Sequence, residues 1–249
     1  MSDNLEAIAQ DIAAAHRDTA QRLAASRLTA LTRADALAIQ GKVLGLLGDS
    51  VPAVKVAIGA DSIGLGAPIP SSLVVENGGE ITLGQRDLVG LEVEVAARLK
   101  ADITPEMAKA GPEAVLAAIE HFTIGIELIG SRIDDRTVAG AFGPMADNLV
   151  TGGYVIGTLA LKDLPTVDGL SVKLTVDGVE TQKEVAKHPF GDALRPILAF
   201  ALAGDDAFGG LRKGMVVTTG SLSPLLISPR QGRIEITLGD FPPLSVTLR

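Results

Sequence analysis

Three acidic side chains carry the chemical interest of this 249-residue chain. Leu91-Glu92-Val93-Glu94-Val95 alternates strictly, so a strand here puts Glu92 and Glu94 on one face and Leu91, Val93 and Val95 on the other. The two carboxylates then stand about 7 Å apart at the backbone and can converge on one hard cation, since Mg²⁺ takes carboxylate oxygens at about 2.0–2.1 Å. The same alternation describes a solvated strand face, which is the commoner arrangement for such a pair. Glu127 lies in Thr123-Ile124-Gly125-Ile126-Glu127-Leu128-Ile129-Gly130, an otherwise uncharged strand. An ionised carboxylate there is costly unless it is paired, bound to a metal or placed at a water-facing edge. Two acidic strand segments separated by a helix supply three carboxylates and leave aqueous positions open, the pattern of an oxygen-rich metal site with room for substrate. His16, His121 and His188 show no metal-ligand spacing, and His188 before Pro189 reads as a helix entrance.

Composition narrows the function classes. Acidic residues exceed basic ones by 30 to 22, a formal charge of −8, which argues against a nucleic-acid or anionic-membrane partner. Hydrophobic residues make up 47% of the chain but aromatics only 3%, with no Trp and one Tyr, so the core must be aliphatic and no stacking platform for bases exists. Without Cys there is no disulfide, thiolate nucleophile or zinc-thiolate site, which fits a reducing cytosol. The N-terminus has acids where a secretory signal would be basic, and no apolar run approaches the roughly 18 residues of a spanning helix. The expectation is a soluble, cytoplasmic protein.

The elements that must position these residues follow from periodicity. Leu5, Ile8, Ile12 and Leu23 predict an amphipathic helix over residues 3–25, and Thr32 to Asp35 predicts a capping box opening a second helix that Gly48 stops. After Pro52 the pattern changes to strands at 54–58, 72–75, 80–83 and 91–99. Thr104-Pro105 is an N-cap and first-turn pair, and residues 112–122 predict a helix with Val115, Leu116 and Ile119 on one face. Strands are expected at 123–130 and 153–161, and Asp177-Gly178 predicts a type I′ hairpin between strands 170–176 and 179–183. A helix over 189–203 and strands at 215–219, 225–228, 233–238 and 244–248 complete the chain. Strands without regular βαβ alternation indicate a mixed-sheet, β-dominated α+β fold, with a helical region over residues 1–50 packing on a β-rich region over 51–249 as one continuous domain.

Several stretches together resemble a known family: Asp35 to Gln40, Leu91 to Ala96, Ile126 to Ile133, Ala146-Asp147-Asn148, Gly153 to Gly157, His188-Pro189 and Thr219-Gly220-Ser221. In this order they resemble the hydratase and decarboxylase branch of the fumarylacetoacetate hydrolase superfamily over roughly residues 30–249. The resemblance implies that Glu92, Glu94 and Glu127 bind a divalent metal, usually Mg²⁺ or Mn²⁺. Hydrolase relatives usually carry Asp at the third position and a His-Glu pair on an N-terminal lid. Here Glu127 stands at that position and His16-Arg17-Asp18-Thr19 does not reproduce the lid pair.

Lys55, in Val54-Lys55-Val56, aligns with a family lysine beside metal and substrate, where its ammonium stabilises an enolate or shuttles a proton and a neighbouring cation lowers its pKa. The turn Thr219-Gly220-Ser221 is expected to present backbone N–H groups to the substrate carboxylate, and Asp147 and Asn148 to order the site from behind. The implied reaction is hydration of a 2-hydroxy-2,4-dienoate or 2-keto-4-enoate to a 4-hydroxy-2-keto acid, as in meta-cleavage catabolism of aromatics. The alternatives are a 4-oxalocrotonate-type decarboxylase and a catalytically silent keto-acid-binding or partner subunit. A homo-oligomer, associating with a related hydratase or decarboxylase subunit, is also expected from the family.

Overall fold

The computed structural model describes residues 2–82 and 87–249. Helices α1 (Ser2–Arg17) and α2 (Arg33–Leu47) lead the chain. The capping box at α2 is present, with Thr32 and Asp35 exchanging hydrogen bonds, and Gly48 ends the helix in the left-handed conformation at φ 71°. Strands β1 (Ala53–Ile58), β2 (Gly64–Ile69), β3 (Val74–Glu76), β4 (Glu80–Ile81) and β5 (Asp87–Leu99) follow. Short helices α3 (Pro105–Ala110) and α4 (Pro112–Ala118) lead into the long strand β6 (Ile119–Ser131). Helix α5 (Gly143–Ala146) precedes β7 (Thr151–Ile156) and the hairpin of β8 (Ser171–Val176) and β9 (Val179–Val185). Helix α6 (Leu194–Ala203) and strands β10 (Val216–Ser221), β11 (Gly232–Leu238) and β12 (Leu244–Leu248) close the fold.

Among the described residues the strands form two mixed sheets, ordered β2-β1-β10-β5-β6-β7-β3 and β4-β12-β11-β8-β9. The larger sheet turns Leu91, Val93, Val95, Ile124, Ile126 and Leu128 into a core shared with Val172, Leu174, Ile234, Ile236 and Val246 of the smaller one. Its other face carries the acidic residues. Beside them lies a smaller apolar cluster that includes Ala53, Ile69, Ala96, Tyr154 and Val216. Helices α1 and α2 bury Ile8, Ile12, Ile39 and Val43 with Ile133 and Met145.

Several expected boundaries move, each for a local reason. Helix α1 stops at Arg17 rather than continuing to residue 25. Asp18 accepts from the Ala20 N–H, and Leu23 leaves the helix to exchange backbone hydrogen bonds with Arg132 and Asp134. Helix α4 ends at Ala118 because Ile119 and Phe122 pair with Leu99 and Ala97 in the sheet, and Leu116 is exposed rather than on the buried face. Asp192 accepts from the N–H groups of Leu194 and Arg195, so α6 starts at Leu194 instead of Pro189. The strand expected at 153–161 spans Thr151–Ile156, with Leu161 returning as an isolated bridge to Phe122. Of the expected strand 225–228, only Leu226 pairs, with Leu91. Residue 83 of the expected strand 80–83 lies outside the described residues.

Strand β2 escapes the sequence pattern altogether because it reads Gly-Leu-Gly-Ala-Pro-Ile. It is an edge strand, where Pro is tolerated. Its glycines let α6 press onto the sheet, since a Cβ at Gly64 would overlap the Ala199 backbone and one at Gly66 the Phe200 ring. Gly64→Ala is therefore expected to lower stability by about 3 kcal/mol through overpacking. Urea unfolding checks this, and an unchanged midpoint would show that α6 yields freely.

Candidate metal centre

The long pairing of β5 with β6 sets Glu92 directly opposite Glu127, with Glu94 two residues along and opposite Gly125. All three side chains rise from the same face, and one oxygen from each lies within 4.8 Å of the others. Like charges directly opposite in a sheet repel, so this register needs compensation. Glu94 and Glu127 are fully buried, whereas the Glu92 side chain is 21% exposed, which places the mouth of the cluster at Glu92.

Neighbours hold Glu94 and Glu127 in place, and Glu94 keeps one oxygen open. Glu94 Oε2 accepts from the Thr218 hydroxyl and from the Gly220 N–H at 2.9 Å, and Oε1 has no hydrogen-bond partner. Glu127 Oε1 accepts from the Thr151 hydroxyl at 2.5 Å, and Oε2 lies 2.6 Å from Lys55 Nζ. Lys55 enters from β1 and also reaches Glu92 Oε2 at 3.5 Å. Once all three carboxylates are ionised, one ammonium leaves two negative charges, the amount a divalent cation neutralises. A buried, unpartnered carboxylate oxygen beside two others suits an oxygen-seeking ion such as Mg²⁺.

The titration behaviour follows from the same geometry. Burial pushes the Glu127 pKa up to about 8, with Lys55 opposing the rise and Glu94 and Glu92 adding to it. Burial also raises Glu92, again against the pull of Lys55. Desolvation works against the charge on Lys55, but Glu127, Glu92 and Glu94 outweigh it and hold its pKa above the ordinary value. The lowering expected for Lys55 from a neighbouring cation is thus not a property of the carboxylate cluster itself.

A further ring of polar groups fastens the cluster to the sheet. Arg132 and Asp147 form a fully buried ion pair, and Asp147 also accepts from the Ser131 hydroxyl and the Arg132 N–H. Arg132 Nη1 donates to the Thr151 carbonyl at 2.6 Å, so the pair fixes the residue whose hydroxyl holds Glu127. The segment Asn148-Leu149-Val150 runs through three successive positive φ angles of 49°, 51° and 59°. Such angles are unfavourable for residues other than glycine, and the Arg132–Asp147 pair anchors the turn that imposes them.

In the expected substrate turn, Gly220 has φ 111° and spends its N–H on Glu94. Thr219 donates to the Val95 carbonyl, and Ser221 donates to the Ser223 carbonyl. The Thr219 proton being committed, His188 Nε2 must donate to its oxygen at 3.2 Å while Nδ1 accepts from the Phe190 N–H at 3.3 Å. His188 is thereby neutral and satisfied, and burial lowers its pKa. Sequence reasoning missed Thr151, Thr218 and Arg132 as parts of the site. A lone Arg ending an apolar strand and a Thr just before Thr-Gly were the available signals.

The fumarylacetoacetate (FAA) hydrolase C-terminal family model matches residues 67–248. The chain belongs to the fumarylacetoacetate hydrolase family. No curated protein matches it by sequence. Among solved structures of the same fold, 4-oxalocrotonate decarboxylase from Pseudomonas putida G7, complexed with magnesium and adipate, is 16% identical with a TM-score of 0.83. The likeness covers 100% of this chain and 98% of that one. The same enzyme complexed with calcium and acetate gives 17% identity, a TM-score of 0.82 and coverage of 100% and 98%. The 2-hydroxyhepta-2,4-diene-1,7-dioate isomerase from Mycobacterium marinum is 17% identical with a TM-score of 0.54, over 80% of this chain and 76% of that one. The mixed-sheet, strand-dominated fold expected from the sequence is thus the fold of this family's structures. Among the described residues no helix is long and apolar enough to cross a membrane.

Two outcomes test the site. Between the ordinary carboxyl value of 4.5 and about 8, native Glu127 keeps a proton that the unfolded chain has released, so metal-free stability falls as pH rises through that window. A cation must displace the same proton, and Mg²⁺ affinity by calorimetry is expected to tighten about tenfold per pH unit below that value. A flat pH profile would contradict a protonated Glu127. Asp147→Asn leaves the buried Arg132 guanidinium without its counter-charge and is expected to cost about 3–5 kcal/mol in urea unfolding. A loss below about 1 kcal/mol would show that Thr151 is held by other means.

Proposed function

We propose that the chain is a divalent-metal-dependent lyase that hydrates a 2-hydroxy-2,4-dienoate or 2-keto-4-enoate to a 4-hydroxy-2-keto acid. The observation that carries this reading is the convergence of Glu92, Glu94 and Glu127 within 4.8 Å, with Lys55 Nζ 2.6 Å from Glu127. Membership of an enzyme family whose solved structures include complexes with magnesium and with small carboxylic acids supports it. Mg²⁺ or Mn²⁺ is the cofactor in this proposal, and the working form is a cytoplasmic homo-oligomer.

Glu92, Glu94 and Glu127 would hold the ion, which supplies a positive charge to stabilise the C2 oxygen of the substrate as negative charge develops there. Lys55 is placed beside that charge. Its ammonium holds a proton at Nζ for the substrate carbon skeleton and, on losing it, takes up the proton that the dienol hydroxyl releases. The dienol thereby becomes a conjugated enone, and water adds its oxygen at C4 and a proton at C3. The turn Thr219-Gly220-Ser221 sits next to Glu94, where it would border the substrate's carboxylate end, its Gly220 N–H being spent on Glu94. Asp147 keeps the Glu127 side of the cluster in place through Arg132 and Thr151, and Asn148 begins the positive-φ turn that follows it. With Glu94 and Glu127 sealed inside, substrate enters past the half-open Glu92.

Decarboxylation is the second reading. The full-length likeness to a decarboxylase structure holding magnesium and the dicarboxylic acid adipate favours it. In that reaction the bond to a carboxylate at the vinylogous position breaks, CO₂ leaves and the electron pair flows to the C2 oxygen.

Turnover of 2-hydroxydienoates with Mg²⁺ or Mn²⁺, followed by ultraviolet absorbance with CO₂ measured in parallel, separates the two. Loss of dienol absorbance without CO₂ is the expected result, and stoichiometric CO₂ selects decarboxylation instead. Glu94→Gln and Glu127→Gln are each expected to lower kcat about a thousandfold and to abolish calorimetric Mg²⁺ binding. Unchanged metal affinity in both would remove the basis of either reading.

A further inference from the structure

The carboxylate cluster is closed at one end and open at the other, and the open end is apolar. On the site face of β5, Glu94 is followed by Ala96, which is fully buried in the cluster that holds Ala53, Tyr154 and Val216. That end is sealed. In the other direction Glu92 is preceded on the same face by Gly90, whose partner across β6 is Ile129, two residues beyond Glu127. On β1, Val54 and Val56 enter the core, so Ala57 shares the site face with Lys55 and is partly buried there.

Gly90 is covered by a distant segment. A Cβ there would overlap the Leu225 side chain and the Leu226 carbonyl. Leu226 exchanges both backbone hydrogen bonds with Leu91 and turns its side chain into the core, so its neighbour Leu225 comes out on the face of the acids. Leu225 keeps 38% of its surface exposed, and the glycine beneath it is about 7 Å from Glu92 along the backbone.

Charge decides what this layer can receive. Among the described residues the ion pairs of the cluster are made by Lys55, to Glu92 and to Glu127. A divalent ion would balance the ionised cluster and meet the carboxylate and C2 oxygen at the head of a 2-hydroxydienoate. A second carboxylate at the far end of the substrate would lie against Leu225 and Ile129 without a counter-charge. Desolvating an unpaired carboxylate is far more costly than covering a methyl group.

We propose that Leu225, with Ile129 and Ala57 beside it, determines specificity by receiving an uncharged substrate tail, so that the chain takes dienoates with one carboxylate and turns away dicarboxylates. This rests on the metal-dependent dienoate reading of the site and names the substrate class within it. It also bears on the choice of reaction, because decarboxylation requires the second carboxylate that this apolar layer disfavours.

Three substrates given to the Mg²⁺-loaded protein make the test: 2-hydroxypenta-2,4-dienoate, the methyl-ended 2-hydroxyhexa-2,4-dienoate and the dicarboxylate 2-hydroxyhexa-2,4-dienedioate. For the wild type, kcat/KM with the dicarboxylate is expected to fall at least about a hundredfold below that with the methyl-ended substrate. Leu225→Ala is expected to lower kcat/KM about tenfold for the methyl-ended substrate and less for the pentadienoate, mainly through KM, with Mg²⁺ affinity by calorimetry unchanged. Equal use of the dicarboxylate by the wild type overturns the proposal, as does a Leu225→Ala protein that treats the methyl-ended substrate as the wild type does. Should Leu225→Ala fail to fold, the wild-type comparison decides alone. A wild-type protein that binds no Mg²⁺, or turns over none of the three, would defeat the metal-dependent reading itself, whereas efficient use of the dicarboxylate defeats only the role of Leu225.

Discussion

Mutual repulsion among three desolvated carboxylates is the constraint around which the rest of this site is arranged. Glu92 and Glu127 face each other across β5 and β6, and Glu94 adds a third charge on the same face. In water such a trio would cost little, but under the sheet's cover the charged forms lose solvation and repel at short range. Lys55 offsets one charge. The two that remain explain why hydroxyls and N–H groups are drawn to the outer oxygens, and why a doubly charged ion suits the centre.

The fold answers this constraint by separating two jobs on the two faces of one sheet. Leu91, Val93 and Val95 on one face, with Ile124, Ile126 and Leu128, belong to the aliphatic core against the smaller sheet. That burial holds β5 and β6 in register, and the register determines that Glu92 meets Glu127. A slip of one residue would send the acids into the aliphatic core and the valines into the site. The charged cluster is therefore maintained by apolar packing on the far side of the same strands.

Much of this arrangement was legible in local pattern. Strict alternation in 91–95 gave the shared face of Glu92 and Glu94, Thr32 and Asp35 gave the start of α2, and Asp177-Gly178 gave the hairpin. At that turn φ is 47° at Asp177 and 85° at Gly178, both positive as a type I′ turn requires. The ambiguity over Glu127 was a matter of burial. An isolated acid in an apolar strand suits an edge or an interior, and only the order β10-β5-β6-β7 places β6 inside the sheet. What sequence could not show were contacts between distant segments. Thr218 reaches Glu94, Arg132 reaches Thr151, and Gly125 makes room for Tyr154, none of which leaves a periodic trace. Strand β2 was lost for the opposite reason, because its glycines and proline give a turn-like local signal that packing under α6 overrides.

The length of the third acid also matters. Glu127 spans two partners at once, with Oε1 on Thr151 and Oε2 at 2.6 Å from Lys55. An aspartate at this position is one methylene shorter and would draw the carboxylate back by about 1.5 Å. At that distance the ion pair with Lys55 would fall near the limit of a direct contact unless β1 moved inward. In this chain, then, the extra methylene at 127 and the lysine at 55 work as a matched pair: the longer acid reaches the ammonium, which also approaches Glu92 at 3.5 Å, while Glu94 is held by Thr218 and Gly220. The pairing ties the reach of the third carboxylate to the ammonium of Lys55, and so links how a cation would be held to the one positive charge already in the cluster.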